Sequence, residues 1–308
     1  MTVSYLITLF NKEEFIGGVL DTVLIEQAQT GGEIIIYDDM STDRSVEIVK
    51  ERIAANSDRI RLICGEVNRG VSYATNRLIE AATQPYIRLV DADDLLVPGS
   101  TAQLMRLLQK HGLGFIYGRY QSREKKPGDQ SFGECFVLQD SIDVVLRHLN
   151  ATPSSSLFVA EKLKQICPLP EWVRRTQDFT IFLRLACNGV AMGGVDEVVA
   201  LLPPVYTANN LSSGSAAAYA EMCRSVALEE KIVPLENLRN VCRRYAGRAM
   251  KYFRHDGESR LNMMEKFDLW RWRQFARIAS SKSCVDRLNE IARLFDRDSH
   301  VVKGLRKA

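Results

Sequence analysis

No stretch of this 308-residue chain approaches the ~18 consecutive apolar residues that a membrane span requires. The apolar opening VSYLITLF has no basic run ahead of it and no small-residue cleavage site behind it, so a signal peptide is not expected. Seven cysteines, at 64, 135, 167, 187, 223, 242 and 284, are widely spaced and form no CxxC pair. That spacing supports neither a zinc site nor a disulfide framework, and reduced, mostly buried thiols in a cytoplasmic protein are the expectation. Histidine is scarce, at 111, 148, 255 and 300, and none of the four is given a role. Glycine is absent from TLFNKEE, the turn after the first apolar run, where a sugar nucleotidyltransferase would need a Gly-rich phosphate loop.

The length suits one large domain with a smaller appendage. Charge divides the chain in the same way. Residues 231–308 carry 19 Lys and Arg against 9 Asp and Glu, a net +10, while residues 1–230 carry a net −7. An acidic body and a basic tail point to two parts with different partners. The boundary is set at 215/216, with a basic helical region over 216–308.

Within 1–215 strands and helices alternate. VSYLITLF reads as a buried strand, and Lys12 to about Gln27 places Phe15, Ile16, Val19, Leu20, Val23 and Leu24 at helical spacing. EIIIYDD is a second strand, followed by Ser41 and Thr42 as caps for a helix with Val46, Val49 and Ile53 on one face. RIRLIC, a helix over 71–82 and YIRLV continue the alternation, and LGFIYG and PSSSLFV add further strands. The fold class is therefore α/β, a mostly parallel sheet sandwiched by helices. From about 215 onward only helical patterns occur, broken at Pro234 and near Asp256-Gly257.

Ligands of open α/β sheets bind beyond the carboxyl ends of the strands. The residues there are Thr8, Phe10 and Asn11, then Asp38 and Asp39, then Asn68 to Gly70, then Asp91, Asp93 and Asp94. Five carboxylates on one edge repel one another unless a cation lies between them. Mg²⁺ uses one or two protein carboxylates and fills its other positions with water and phosphate oxygens, so a D-x-D at a strand end suggests a metal-bridged diphosphate. Helix capping is the rival reading of each Asp, and the second acidic pair on the neighbouring strand weighs against it.

The runs VSYLITLFNKEEFI, IIIYDDMSTDRSVEIV, NRGVSYATN and YIRLVDADDLLVPG, in this order on four successive strands, resemble the nucleotide-binding half of the inverting GT-A glycosyltransferases of family 2. The resemblance covers 1–120 closely and extends more loosely to about 215. It implies a Rossmann-like GT-A fold with a nucleotide-binding half at 1–120 and an acceptor half at 121–215. It also implies a nucleotide-sugar donor, most often UDP-linked, and a divalent metal, Mn²⁺ or Mg²⁺. Carried over position by position, Thr8 and Phe10 would line the base pocket, with Asp39 accepting from the uracil imide and Asp38 holding the loop. Asn68 and Arg69 would lie beside the donor. Thr75 is counted with the donor-binding residues although it stands where relatives often carry Arg, and Arg69 or Arg77 could substitute. Asp91 would face the donor and share the metal with Asp93, its main ligand, while Asp94 is either a supporting group or a helix cap. Asp178 in RRTQDFTIFLRL would be the general base, with a plain helix cap as the alternative. Its usual acidic neighbour is Gln177 here. Where relatives place a His near the phosphates, YTANNLSSGS offers Asn209, Asn210 and hydroxyls, which leaves a third protein metal ligand open.

An acceptor on a glycan or lipid-linked saccharide of surface polysaccharide synthesis is expected to bind between 120 and 215. Pro153 to Ser156, Trp172, Arg174 and Arg175 are the lining candidates, and the Arg pair suits an anionic acceptor or is a solvated basic turn. In the tail, KFDLWRWRQFARI interleaves Trp270, Trp272 and Phe275 with Lys266, Arg271, Arg273 and Arg277. This segment packs on its own domain or in a homodimer, or contacts an anionic membrane at the inner face of the cell. No recognition motif supports nucleic acid. A phosphatase of the haloacid dehalogenase type would want DxDxT, and Leu95 stands where the Thr should be. The rival from another class is a non-catalytic nucleotide-sugar sensor or assembly scaffold.

Overall fold

The structure, a computed structural model, describes residues 2–56, 59–124, 133–147, 149–204, 216–255 and 263–305. The chain forms two compact units, Met1–Ser141 with His148–Asn210, and Ile142–Arg147 with Leu211–Ala308.

The first unit is built on the apolar strands β1 (Val3–Leu9), β2 (Gly32–Asp38), β3 (Ile60–Cys64) and β4 (Tyr86–Asp91). Between them run α1 (Ile16–Thr30), α2 (Ser45–Ala55) and α3 (Val71–Ala81). Then follow β5 (Leu95–Leu96), α4 (Ser100–Lys110), β6 (Phe115–Ser122), β7 (Phe136–Val137), β8 (Ser156–Val159), α6 (Ala160–Gln165), α7 (Gln177–Cys187) and β9 (Met192–Leu202), while α5 (Ser141–Leu146), between β7 and β8 in the chain, falls almost wholly in the second unit. Among the described residues these strands form one sheet in the order β3-β2-β1-β4-β8-β6-β9-β5, with β7 paired to β9. β8, β5 and β7 run against the others. This is the mostly parallel, helix-covered sheet expected from the alternation, in the GT-A-like form that the resemblance implies.

Alternate side chains of a strand face opposite ways. Tyr5, Ile7 and Leu9 of β1 and Ile34 and Ile36 of β2 therefore share a core with Val19, Leu20 and Val23 of α1, Val49 of α2 and Leu104 and Leu108 of α4. α3 packs on β1 and β2 from the other side. One polar pair lies inside this apolar layer. Arg88 of β4 is fully buried and donates to Ser100 Oγ (3.0 Å), Thr101 Oγ1 (2.5 Å), Ser154 O (3.1 Å) and Val199 O (3.0 Å). Glu26 of α1, 3.7 Å from Arg88, accepts from the Gly99 and Thr101 N–H groups at 2.5 and 2.7 Å. A buried charge is tolerated only when paired and hydrogen-bonded, and here the bonds tie α1, β4, α4 and β9 together.

Two local expectations differ from the structure, and one strand was not expected. The first helix starts at Ile16, because Lys12–Phe15 forms a turn in which the Phe15 and Ile16 N–H groups both donate to Lys12 O at 2.9 Å. Ser41 and Thr42 do not cap α2. Ser41 Oγ accepts from the Asn11 N–H (3.0 Å) and the Thr42 N–H donates to Asn11 Oδ1 (2.7 Å), while Asp43 Oδ1 accepts from the Ser45 N–H at 2.9 Å. The unexpected strand is β9, hidden in AMGGVDEVVALL because its two glycines and acidic pair break strand alternation. A Cβ on Gly193 would stand 2.7 Å from Phe136 O, and one on Gly194 2.6 Å from the Phe136 ring. The glycines let β7 approach closely, a strand use of glycine that pattern reading scores as a break.

The second unit is helical: α8 (Ala216–Leu228), α9 (Leu235–His255), α10 (Met263–Phe275) and α11 (Ser281–Leu305). Cys223, Val226, Leu238, Tyr245, Leu269, Leu288, Ile291 and Phe295 are buried. The Tyr219 and Phe295 rings meet in a tilted pair at 5.2 Å, and an Arg224–Asp296 ion pair joins α8 to α11. Arg244 of α9 donates to Leu146 O, holding Ile142–Arg147 to this unit. No helix among the described residues is long and apolar enough to cross a membrane. The Asp256-Gly257 break lies outside the described residues.

Candidate active site

The strand order reverses about β1, which lies between β2 and β4, and the crevice of an open sheet forms at such a point. Register puts the polar strand ends in one row: Thr8 pairs with Tyr37 and Asp91, and Leu9 with Asp38. All five expected carboxylates stand at this edge.

Asp38 and Asp39 are both buried and both engaged by backbone. Asp38 accepts from the Ser41 N–H at 3.2 Å. Asp39 accepts from the Arg69 N–H at 2.9 Å and the Gly70 N–H at 2.7 Å, and Asn68 Nδ2 donates to Asp39 O at 3.1 Å. The second acid of YDD thus organises the NRG turn. An ionised carboxylate has about four acceptor sites, so Asp39 retains capacity beyond these two bonds. Asn11 (φ 50°) and Met40 (φ 65°) hold left-handed backbone in the flanking loops, as constrained functional loops do. Phe10 is 44% exposed, Thr8 half-buried. The Arg69 guanidinium lies 3.8 Å from the Tyr73 ring centroid and pairs with Glu171 at 2.5 Å.

Thr75 lies elsewhere. It is fully buried, and its hydroxyl donates to Gln177 Oε1 at 2.8 Å. Its neighbours on α3 do similar work: Ser72 Oγ donates to Val173 O (2.5 Å), and Asn76 exchanges hydrogen bonds with Leu169 at 2.9 and 2.7 Å. This polar face of α3 grips the segment leading into α7. Thr75, grouped with the donor-binding residues from the sequence, is thus enclosed here and bonded to the first residue of α7.

The acids after β4 are in a different state. A turn bonds the Asp94 N–H to Asp91 O at 3.0 Å and compresses three carboxylates. The Asp91 pKa is pushed up to about 7, first by burial and then by the charges of Asp93 and Asp178, with Lys12 pulling it back. Asp94 is raised well above its ordinary value, by burial and then by Asp91 and Asp93, with Ser154 and Arg123 opposing. Two cations adjoin the cluster: Lys12 Nζ pairs with Asp93 Oδ2, and Arg123 donates to Asp93 O. Neither residue stands out in the sequence, because Lys12 sits in a polar turn and Arg123 in a polar loop. Ser154 does not line an acceptor path. It is fully buried and its Oγ accepts from the Asp91 N–H at 2.9 Å, whereas Ser155 and Ser156 bond to Thr152.

Asp178 lies in the first turn of α7, 85 positions beyond Asp93, yet near enough to raise Asp91 electrostatically. The Tyr120 phenol is raised by burial and then by Asp178 and Asp94, so it shares the same space. Trp172 is 40% exposed and Arg174 is exposed beside Gly70. Asn209 and Asn210 lie outside the described residues, as does His148.

Among the described residues no group of three or more His, Cys, Asp or Glu side chains is arranged to hold a metal ion. A hard divalent cation that keeps several waters asks for less, one or two carboxylate oxygens. Asp91 and Asp93 offer such oxygens at one strand end, where burial first and neighbouring carboxylates second push the Asp91 and Asp94 pKa values up, and so fit such a group.

A family model described as glycosyl transferase family 2 matches residues 4–184. The chain is 42% identical over 104 residues to the uncharacterized glycosyltransferase YibD of Escherichia coli K12, covering 34% of this chain and 29% of YibD. It is 27% identical over 119 residues to the UDP-Glc:alpha-D-GlcNAc-diphosphoundecaprenol beta-1,3-glucosyltransferase WfgD of Escherichia coli, covering 39% of this chain and 46% of WfgD. The matched segments thus span less than half the length of these relatives. Among solved structures, S. aureus TarS 1-349 in complex with UDP-GlcNAc superposes with a TM-score of 0.67 at 16% identity, over 97% of this chain and 92% of that one.

Proposed function

Because the chain belongs to glycosyl transferase family 2, we propose that it is an inverting glycosyltransferase. It moves a sugar from a nucleotide-diphosphate sugar, UDP-linked, to a hydroxyl of a glycan or lipid-linked saccharide in surface polysaccharide synthesis. The observation that carries this reading is the convergence on one sheet edge of the Asp39 cradle, the crowded acids after β4, and Asp178. The UDP-sugars named for WfgD and TarS support the donor, and the diphosphoundecaprenol named for WfgD supports a lipid-linked acceptor.

In this mechanism Thr8, Phe10, Asn68 and Arg69 hold the nucleoside and Asp39 accepts from its imide. Asp93 and Asp91 would hold Mn²⁺ or Mg²⁺, which when bound supplies Lewis-acid neutralisation of the leaving diphosphate. Lys12 and Arg123 add fixed positive charge beside the same group, where it is worth more than in water because the site is partly closed. As the sugar–phosphate bond breaks, the anomeric carbon becomes oxocarbenium-like. Asp178 takes the proton from the acceptor hydroxyl attacking the opposite face, a contribution of roughly 10²–10⁴ in rate. The products are the inverted glycoside and the nucleoside diphosphate.

A thermal-shift panel of nucleoside diphosphates and their sugars, with and without Mn²⁺, tests the donor site. A rise in Tm with UDP or a UDP-sugar is expected. If no nucleotide raises Tm in either condition, the donor assignment is wrong. Nucleotide binding with no UDP release above background, in the parent as in Asp178→Asn, would favour the scaffold reading.

A further inference from the structure

We infer that the outward face of α10 is a docking surface for an anionic phospholipid bilayer. The helix has two faces of different fate. Leu269 is fully buried, Trp272 lies under the Arg287 guanidinium at 5.2 Å, and Ala276, just beyond the helix, is buried as well. These residues pack α10 onto its own unit. The opposite face leaves Met264 70%, Phe267 54% and Trp270 45% exposed, with Ile278 at 81% just past the helix end. Phe267 and Trp270 stack on each other at 5.8 Å, which gives a rigid aromatic ledge. Large apolar side chains clustered in solvent are uncommon without a partner.

The flanking charges select the partner. At 3.6 residues per turn, Phe267, Trp270 and Gln274 form the middle of the exposed arc. Exposed Lys266 and Arg273, seven apart, border it on one side, and exposed Arg271 borders it beside Met264 on the other. Arg271 shares its charge with Asp268 at 3.7 Å. Over residues 263–278 four basic side chains stand against two acidic ones. Aromatic residues centred between basic rims match a bilayer interface, where rings enter the headgroup boundary and ammonium or guanidinium groups reach lipid phosphates. A second copy of the chain would bring the same basic rims against each other, which disfavours self-association through this face. The net +10 of residues 231–308 adds long-range attraction to an anionic surface.

The test is co-sedimentation of the full chain, without donor, with phosphatidylcholine vesicles and with vesicles containing about a third phosphatidylglycerol. Binding to the anionic vesicles is expected to be about tenfold or more tighter than to phosphatidylcholine alone, and to weaken with salt. Phe267→Ser with Trp270→Ser should abolish it, Lys266→Glu with Arg273→Glu should weaken it about 30-fold or more, and Ile25→Ser on the other unit should leave it unchanged. All these side chains are exposed, so circular dichroism and Tm should match the parent, and any variant that fails this check is replaced by Phe267→Ala alone. Absence of binding to anionic vesicles, or binding that survives loss of both aromatics, overturns the proposal. So does a dimer in sedimentation velocity that the aromatic variant dissociates without any vesicle binding, which would make the face a subunit contact.

Discussion

The acids after β2 and those after β4 stand at the same sheet edge under opposite conditions. Asp39 is buried yet satisfied, with two backbone N–H groups donating to its carboxylate at 2.7 and 2.9 Å. Asp91 and Asp94 are crowded by burial and by one another, and their pKa values are pushed up. The first arrangement stabilises the folded chain, because hydrogen bonds to a charged group contribute about 1.5–3 kcal/mol. The second opposes folding and persists because the turn and Ser154 hold it in place. Asp39 is thus held by its donors, while Asp91 and Asp94 are burdened first by burial and then by neighbouring negative charge.

Several substitutions would break or sharpen this contrast. Asp178→Asn is expected to have the largest effect, a fall in kcat of about 10²–10⁴ in a UDP-release assay with Tm unchanged. Asp93→Asn should lower turnover by about 10²–10³ and remove any Mn²⁺-induced rise in Tm, while the metal-free protein stays as stable as the parent or becomes more so. A marked loss of metal-free stability in that variant would mean that the cluster is structural after all. Asp39→Ala should do the reverse, lowering stability by about 2 kcal/mol in urea unfolding and raising the KM for the donor. Thr75→Val should cost about 1 kcal/mol and act on kcat more than on donor KM, since Thr75 reaches the site only through Gln177.

The smallest effect belongs to an acid at the opposite edge of the sheet. Burial pushes Glu33 up, but hydrogen bonds from Ser4 and from the Thr83 hydroxyl and N–H outweigh it, and its pKa is lowered. A carboxylate depressed on folding stabilises above its unfolded pKa and loses that contribution as pH falls through its folded pKa. Glu33→Gln should therefore be slightly less stable than the parent at neutral pH, with the gap closing in acid.

Legibility in the sequence followed the range of the interaction involved. The alternation of strands and helices, the acidic strand ends and the helical tail can all be read locally, because burial pattern and chain direction decide them. Lys12, Arg123 and Ser154 escape such reading, since each matters through partners 81, 30 and 63 positions away. Arg88 is the sharpest case: within YIRLV it looks like a solvated charge on a strand, yet it is fully buried against Glu26.

The order of elements and the acidic positions were determined by the amino-acid sequence alone, since hydrophobic periodicity and strand-end polarity are properties of short segments. Which acid is satisfied and which is crowded was decided only by the tertiary structure. The same holds for the outward aromatic face of α10, because Trp270 and Trp272 are equivalent in composition and are separated only by which side of the helix packs on α9 and lies under Arg287. A carboxylate or an indole carries no record of its surroundings. Desolvation, repulsion and exposure arise when distant segments meet.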